Sequence, residues 1–566
     1  MACAAIAGLP LESACTPSGD RVNQARNAAV LTWQRWHRGC VIGNRAIRQV
    51  KTDSLRLLLV VSAALLGSAS PVLARPAPQA SEEQGQLLSL RPTLDLAGYA
   101  TEAPEAGAGQ GGGNPASNQS AFNWAAEGRS CEGCPPRSLG RALFQSTVIN
   151  VVYGLSNLMR GHDTAKVTPK TWWGNMQQGW VWDLNDFPVN QVGHPYQGNN
   201  YFTAGRANGL SFYESAAVAA FGSATWEFFG ETSDPSLNDF INTTLGGIAL
   251  GEMFHRVGWL IRNTHATGSG RLWSEIGAMA VDPLTGYNRF RTGDASRVHE
   301  KPADMVPPTL GGSASLGALW RGEENGSIDA AEGQAFLEMD LLYGATQTGH
   351  SRTPYDAFAV KLRFGGGSAF SEARVRGRLL GQPYSSDKLQ FSVLQTYDYQ
   401  NNNAYATGSQ SFDAALGVTQ PLSDRLGLWV LGWGGLTILS AVDSIPLGVP
   451  TEECGGASGT EHATGPRCYD YGPGGNFGVV AQFSRDQRVF AGFFYEGRHL
   501  YSLDGVRANH FLQRARADLL LPLHGALGVG TSVEYFDRHT FYQDAAHSER
   551  RFHYPQVRAY FTWRLE

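Results

Sequence analysis

Apolar and polar residues alternate along the C-terminal half of the chain, and this alternation predicts a series of β-strands. Successive side chains of a strand point to opposite faces of a sheet. The final segment has one apolar face and one polar face, as the wall of a membrane β-barrel requires, with lipid outside and a polar lumen inside. Its apolar face holds Val557, Ala559, Phe561, Trp563 and Leu565, and its polar face holds Arg558, Tyr560, Thr562 and Arg564.

Twelve strands of this kind are predicted, and an even number is expected of a bacterial single-chain barrel. Short turn sequences follow even-numbered strands, as at Pro421–Arg425, Ser484–Gln487 and Pro522–Gly525. The long connection Val442–Tyr469 follows the seventh strand, so we expect it outside the cell, with the short turns in the periplasm. The predicted spans are 312–321, 332–346, 354–367, 371–384, 388–400, 404–420, 425–441, 470–484, 487–503, 507–521, 525–541 and 551–565.

Residues 50–74 have the plan of a secretory signal peptide. Basic residues precede an apolar run from Leu57 to Leu66, and Val72-Leu73-Ala74 supplies a small-x-small cleavage pattern. The run is short of the roughly 20 residues that a membrane-spanning helix needs. Because residues 1–49 then have no place in an exported protein, we expect a mis-assigned start, with Val50 as the true first residue.

The composition narrows the class of function. The net charge of −5 over 566 residues leaves no basic footprint for a nucleic acid. The 68 glycines and the many aromatic residues suit curved strands and an aromatic girdle. Residues 75–137 are rich in Ala, Pro, Gly, Glu and Gln and are interpreted as a disordered linker.

The cysteines of the exported part form two local pairs, Cys131 with Cys134 and Cys454 with Cys468. The periplasm and the cell surface are oxidising and favour disulfides. A zinc site would need a second pair close to the first, and these two pairs are far apart in the sequence. We therefore expect two disulfides, the second of them within the long outer loop.

Residues 138–300 are predicted to form a helical domain, and 310–566 the barrel. An apolar-periodic helix begins near Ser138. Further helices are predicted over 204–229, from Pro235 with Asp234 as its N-cap, and over 271–281. The second and third of these helices carry small residues at helical spacing, which predicts that they pack as a hairpin. These small residues are Gly209, Ala216 and Ala220 on one helix and Gly247 and Gly251 on the other.

A run of linked motifs within residues 140–300 resembles a family of Gram-negative outer-membrane proteins defined by a domain of unknown function, number 3943. The resemblance implies location and architecture. The family brings no established activity, so it assigns no catalytic residue. The motifs are Asn190-Gln-Val-Gly-His-Pro-Tyr-Gln-Gly198, Arg206-Ala-Asn-Gly209, Trp226-Glu227 with Glu231, Pro235-Ser-Leu-Asn-Asp239 and Gly251-Glu-Met-Phe-His-Arg256.

The polar residues of the helical domain suggest two kinds of site, a metal site and a hydrolase or transferase site. Glu252 and His255 have the spacing of the Glu-x-x-His metal sites of helix bundles, but those sites need a second motif. In the structural alternative, Glu252 pairs with Arg256 at i,i+4 and His255 is a structural hydrogen-bonding group. We expect this structural alternative, with neither a bound metal nor another cofactor.

The second reading is hydrolysis or transfer on a lipid or glycan. In it, His194 is a general base that Asp239 or Glu227 orients, and Ser211 or Ser223 is the nucleophile. The chain has no Gly-x-Ser-x-Gly elbow to support such a nucleophile. The full set of candidate catalytic residues is His194, Arg206, Glu227, Asp239, Glu252 and His255.

Basic residues recur at every second position on several predicted strands. Charges at this spacing must face the lumen, because lipid would penalise each by about 2–4 kcal/mol near the midplane. They predict an interior filled with salt bridges. Two more specific alternatives are a lumen that attracts anions and a site that binds the helical domain. The residues are Lys361, Arg363, Arg374, Arg376, Arg378, Arg514 and Arg516.

The sequence therefore predicts an α+β protein of the outer membrane, with a periplasmic linker, a helical domain and a twelve-stranded antiparallel barrel. The helical domain is expected to act as a plug, cap or structural element of the barrel. The alternative is an outer-membrane enzyme that acts on lipid or lipopolysaccharide through the polar helical cluster. Expected partners are outer-membrane lipid and the barrel assembly machinery, and no nucleic acid.

Overall fold

The computed structural model describes residues 134–183, 187–322, 326, 328, 333–344, 353–384, 386–402, 405–443, 469–486, 488–543 and 549–564. All of them belong to one compact unit, Pro76–Glu566. The predicted signal peptide, residues 1–49 before it and nearly all of the predicted linker lie outside the described residues. So do Cys131, Cys454 and Cys468, and both disulfides remain predictions.

Twelve antiparallel strands close into a barrel in which each strand pairs with its sequence neighbours and β1 pairs with β12. This confirms the predicted fold, and the strands begin and end within a few residues of the predicted spans. They are β1 Leu310–Arg321, β2 Gln334–Tyr343, β3 Phe358–Gly365, β4 Ser368–Tyr384, β5 Ser386–Asn401, β6 Ala406–Pro421, β7 Leu426–Asp443, β8 Tyr469–Arg485, β9 Arg488–Tyr501, β10 Ala508–His524, β11 Leu527–Tyr542 and β12 Arg550–Arg564.

The two ends of the barrel differ in their connections. Short turns join β6 to β7, β8 to β9 and β10 to β11 at one end, which we name the turn end. The end of β7 at Asp443 and the start of β8 at Tyr469 lie at the opposite end, named the loop end. Two connections depart from the expected rule. Residues 344–357 form a long connection after β2, and residues 366–367 form a tight turn after β3.

Eight α-helices precede the barrel in the described part of the chain. Two five-residue π-helical turns, Val189–Gly193 and Asn242–Gly246, lead directly into α3 and α6. No described helix is both long and apolar enough to cross a membrane by itself. The helices are α1 Leu139–Met159, α2 Pro169–Gln178, α3 His194–Arg206, α4 Phe212–Phe229, α5 Leu237–Ile241, α6 Gly247–Ile261, α7 Gly268–Val281 and α8 Pro283–Thr292.

The predicted helix 204–229 ends where α4 ends, at Phe229, but its predicted start is wrong because α4 begins at Phe212. The chain breaks at Gly209, whose φ of +70° is left-handed and whose added Cβ would lie 2.4 Å from the carbonyl oxygen of Pro135. Ser211 then caps α4 in a capping box with Glu214. The predicted N-cap Asp234 is also wrong, because Ser236 caps α5 by accepting from the Asp239 amide.

The predicted hairpin between the second and third helices is replaced by packing of both on α3. An added Cβ at Gly198 of α3 would lie 1.7 Å from the Thr243 carbonyl oxygen and 2.9 Å from the Cα of Gly247. On the other side of α3, an added Cβ at Gly205 would lie 2.8 Å from the Cα of Ser215 in α4. Close backbone approach on both sides therefore places α3 between α4 and α6.

Ion pairs between strands that are not neighbours identify the inner face of those strands. Arg374 of β4 reaches Glu496 of β9 at 2.9 Å, and Arg558 of β12 reaches Glu338 of β2 at 3.0 Å. Strands β4 and β9 are far apart in the strand order, so their side chains meet only through the interior. Residues next in sequence to these inward side chains point outward.

Part of the outer wall is covered by protein. Val375 lies between the inward Arg374 and Arg376, and Tyr397 precedes the inward Asp398, yet their exposed fractions are 0% and 1%. Phe391, on the same face of β5 but nearer the turn end, is 37% exposed. The covering groups are the helices, because these wall residues share one hydrophobic cluster with residues of α3, α4 and α6.

Polar contacts tie the same surfaces together. The Tyr397 hydroxyl donates to the Gln191 carbonyl oxygen at 2.7 Å, and Gln395 Nε2 donates to the Leu245 carbonyl oxygen at 3.0 Å. The Phe212 ring of α4 stacks on Tyr355, with ring centroids 5.6 Å apart. The helical domain therefore rests on the outer wall of the barrel, over β2 to β8, and a plug within the lumen is not what the described residues form.

Candidate functional site

Three of the predicted catalytic candidates converge in the helical domain. His194 begins α3, Glu227 lies in the last turn of α4 and Asp239 lies in α5. One ligand-type atom from each lies within 4.8 Å of the other two. All three side chains are buried, so the cluster is enclosed by protein.

His194 contacts two groups in this cluster. Its Nε2 lies 3.5 Å from Asp239 Oδ2, and its Nδ1 lies 3.2 Å from the Thr243 hydroxyl. Glu227 Oε2 accepts a hydrogen bond from the Ser236 amide at 2.9 Å. The N-cap residue of α5 thus holds one carboxylate oxygen of Glu227, and the other remains within the cluster.

Amide side chains connect the cluster to the barrel wall. Asn238 Nδ2 donates to Asp239 Oδ1 at 2.9 Å and to Asp183 Oδ1 at 2.8 Å. Asn190 Nδ2 donates to the same oxygen of Asp183 at 2.8 Å and to the Tyr469 hydroxyl at 2.7 Å. Tyr469 is the first residue of β8, so the cluster lies near the loop end of the barrel.

The electrostatic environment of the cluster is acidic. Burial, followed by repulsion from Asp183, Glu227 and Glu231, raises the pKa of Asp239 well above its usual range. Burial and repulsion from Glu231 likewise raise the pKa of Glu227. Burial and repulsion from Asp183 raise the pKa of Glu231 to about 7. Carboxylates in such a site either take up protons or share a bound cation.

The remaining candidates lie in two other buried groups. Arg206 Nε contacts Glu252 Oε2 at 3.0 Å, and Arg256 Nε contacts Glu252 Oε1 at 2.8 Å. His255 Nδ1 lies 2.9 Å from Asp282 Oδ2. Glu252 therefore pairs with Arg256, and His255 forms a structural hydrogen bond with Asp282. Both contacts agree with the structural alternative to a metal site.

The two candidate nucleophiles have structural roles. Ser211 caps α4, and the Ser223 hydroxyl donates to the Phe240 carbonyl oxygen at 3.4 Å. A Ser–His pair of the kind that acyl transfer uses needs the serine oxygen within hydrogen-bond reach of the imidazole. His194 instead contacts Thr243, so the predicted serine mechanism has no support from this geometry.

Sequence reasoning missed Asp183, which accepts from two asparagines of the cluster. No motif marks it, because the Trp-rich segment around it has no period. Asn190 belongs to one of the linked motifs, and its position there was the available signal. Sequence reasoning also missed Glu275, a structural carboxylate that contacts Arg262, Arg271 and Arg289.

The basic residues predicted for the lumen are all buried inside the barrel. Arg514 contacts Glu372 at 3.0 Å and also Glu534. Arg376 instead stacks on the Trp433 ring at 4.4 Å from the ring centroid. Each of the others contacts a carboxylate: Lys361 and Arg363 contact Glu338, Arg374 contacts Asp398, Arg378 contacts Asp356, and Arg516 contacts Asp518.

Comparison with known proteins gives one family match. The model of a family described as a domain of unknown function (DUF3943) matches residues 179–284, the segment that contains His194, Glu227 and Asp239. No curated protein is significantly similar to this chain.

Among solved structures, outer-membrane barrels are similar in fold. The NanC porin is 7% identical, with a TM-score of 0.21 over 44% of this chain and 98% of its own. The KdgM porin is 7% identical, with a TM-score of 0.20 over 44% and 98%. The outer membrane protease OmpT from Escherichia coli is 9% identical, with a TM-score of 0.17 over 46% and 97%. Similarity at this level does not bear on what the chain binds or does.

Proposed function

We propose that this chain, an outer-membrane barrel protein that carries the DUF3943 domain, uses its barrel as an anchor that holds the helical domain among the lipid acyl chains. The observation that carries the proposal is the covered outer wall. The outward face of a membrane barrel contacts lipid. Helices that bury Val375 and Tyr397 on that face therefore occupy a place that lipid would otherwise fill.

The surface of the helical domain supports this placement. In a water-soluble domain, a helix buries its apolar stripe and exposes its polar face. Helix α1 does the reverse: Asn150 donates inward to the Gly222 carbonyl oxygen, and Ser146 is fully buried. Its exposed side chains form an apolar face, consisting of Leu139, Phe144, Val148, Val151, Val152, Leu155, Leu158 and Met159.

The apolar exterior continues around the helical domain. Trp172 and Trp173 on α2 and Leu272, Trp273 and Ile276 on α7 are exposed. Exposed charges lie between α1 and the first turn of α2, at Arg160, Asp163, Lys166 and Lys170, and near the end of the domain at Arg291, Arg297 and Glu300. Exposed apolar side chains on a domain that packs against the outer wall of the barrel fit lipid as their neighbour. The charged segments mark the parts of the domain that we place in water.

The lumen supports an anchor rather than a channel. Arg516 and Arg558 are each 1% exposed, although both lie inside the barrel. Cross-lumen ion pairs and the rings of Trp433 and Phe494 occupy the interior. The enzyme alternative is not proposed, because the described residues show no hydrogen bond between His194 and either predicted serine nucleophile. The predicted periplasmic linker and the assembly machinery remain parts of this proposal.

Conductance in a planar bilayer tests the closed lumen. Purified wild-type protein is expected to insert without open-pore current steps, because paired charges fill the lumen. An outer-membrane porin, inserted under the same conditions, is the positive control. Steady current steps that scale with the number of inserted wild-type barrels would overturn the channel-free part of the proposal.

A further inference from the structure

The cluster of His194, Glu227 and Asp239 has one carboxylate oxygen without a hydrogen-bond donor in the described part of the chain. This atom is Glu227 Oε1, on a side chain that is 0% exposed. Leaving a buried polar atom unsatisfied costs about 1–3 kcal/mol, and more when the group is charged. The other carboxylate oxygen of Glu227, Oε2, accepts a hydrogen bond from the Ser236 amide. Glu227 Oε1 is thus a buried oxygen available to a ligand.

The neighbouring charges indicate the sign of that ligand. The groups that act electrostatically on Asp239 are the carboxylates of Asp183, Glu227 and Glu231. A buried group of carboxylates is stabilised by a cation that all of them can approach. A cation of charge +2 between Glu227 and Asp239 would neutralise both.

We propose that His194, Glu227 and Asp239 bind one divalent transition-metal ion of the zinc type. A tetrahedral ion with bonds of about 2.1 Å places two ligand atoms about 3.4 Å apart. His194 Nε2 and Asp239 Oδ2 are separated by 3.5 Å. Because Glu227 also brings an oxygen within 4.8 Å of the other two atoms, the three side chains can reach one ion through small rotamer adjustments.

The donor set favours zinc-type ions over calcium or magnesium. Calcium takes six to eight oxygen ligands and magnesium takes an octahedron of oxygens, whereas imidazole suits zinc and its neighbours. Three protein ligands leave a fourth tetrahedral position, which is the coordination of a catalytic rather than a closed structural zinc site.

The hydrogen bonds around the cluster match what metal sites require. Ligating groups are held in place by a surrounding set of hydrogen bonds. His194 contacts Thr243 through Nδ1, which leaves Nε2 directed at the cluster. Asn238 holds Asp239 Oδ1 and leaves Oδ2 directed at His194. Each ligand is therefore oriented by a second group that does not itself need to touch the ion.

Metal titration of the full chain in detergent micelles tests the inference. Protein stripped with a chelator and then titrated with Zn²⁺ is expected to bind one ion per chain in calorimetry and in elemental analysis. Glu227→Gln and His194→Gln are each expected to weaken this binding by about tenfold or more. The control is His265→Gln, which removes an exposed histidine 3.3 Å from Glu300 and should leave binding unchanged.

Two readouts keep the result decisive. Heat-modifiable gel migration and circular dichroism establish that each variant is folded. For the wild type alone, X-ray absorption at the zinc edge should report nitrogen and oxygen ligands and no sulfur. Sulfur ligands would assign the ion to cysteines and overturn the inference. A folded wild type that binds no zinc would also overturn it, and so would a folded Glu227→Gln variant that binds zinc like the wild type. Because this site lies within the helical domain, these outcomes do not depend on the closed lumen or on lipid contact.

Discussion

Glu338→Gln is expected to destabilise the barrel by about 3–5 kcal/mol, which is the cost of removing one partner from a buried ion pair. Glu338 lies 2.8 Å from Lys361, 2.6 Å from Arg363 and 3.0 Å from Arg558, all inside the lumen. The variant leaves these three cations with one fewer anion between them. Urea unfolding in micelles, followed by the gel mobility of the folded barrel, measures the loss.

Asp486→Asn is the matched control for Glu338→Gln. Asp486 lies in the tight turn between β8 and β9, and its contacts with Arg425 and Arg485 are long, at 4.0 and 3.9 Å. Exposed pairs of this kind contribute about 0–1 kcal/mol. An equal loss of stability in the two variants would show that the lumen charges are hydrated and not a buried network.

Gly198→Ala is expected to disrupt the helical domain while the barrel stays folded. The new Cβ would lie 1.7 Å from the Thr243 carbonyl oxygen and 2.9 Å from the Cα of Gly247. Both neighbours are backbone atoms, so α3 and α6 must separate, at a cost of about 1–3 kcal/mol or more. Protease protection of the helical domain in proteoliposomes measures the effect, and heat-modifiable migration reports the barrel.

Gly154→Ala is the control for Gly198→Ala. Gly154 lies within α1, and an added Cβ there has no neighbouring atom within 4 Å. Because alanine is a better helix former than glycine, this change is expected to stabilise α1 by roughly 0.5–1 kcal/mol. If Gly198→Ala protected the helical domain as well as Gly154→Ala does, the close packing of α3 on α6 would be wrong.

The barrel was the most predictable part of the molecule, because a strand's period of two is local and survives in every segment. Inward Arg374 and outward Val375 are distinguishable from their spacing alone. Helix packing was less predictable, since small residues such as Gly247 show that something approaches closely but do not identify it. The partner is α3, which begins at His194, and the predicted helix over 204–229 merged its end with the following helix.

The placement of the helical domain was not predictable from an apolar stripe. Val148, Val151 and Leu155 mark one face of α1 in the sequence, and the usual expectation is that such a face packs into a core. In the structure this face is exposed and the polar face is buried. The pattern predicts that this face is kept away from water, but it does not distinguish burial in a protein core from contact with lipid.

The candidate site was partly predictable. His194, Glu227 and Asp239 were proposed as interacting residues, and the structure brings them within 4.8 Å of one another. Glu252 and His255 share a motif spacing with helix-bundle metal sites, yet each pairs with a different residue, Arg256 and Asp282. Spacing within one helix defines a shared face, whereas a site built from three separate helices depends on tertiary packing.

The helical domain is proposed to lie in lipid against the outer wall of the barrel. Spin labels on single cysteines of the protein, reconstituted in a bilayer, test it most directly through their accessibility to oxygen and to a water-soluble nickel complex. Phe144→Cys and Trp273→Cys replace side chains that are 68% and 69% exposed. Phe561→Cys on β12 is the lipid-facing reference, and Lys170→Cys in the first turn of α2 is the aqueous one.

We expect the labels at positions 144 and 273 to behave like the label at 561, with high oxygen accessibility and low nickel accessibility. The label at position 170 should show the reverse. Labels at 144 and 273 that match the one at 170 would place the helical domain in water and contradict its proposed contact with lipid.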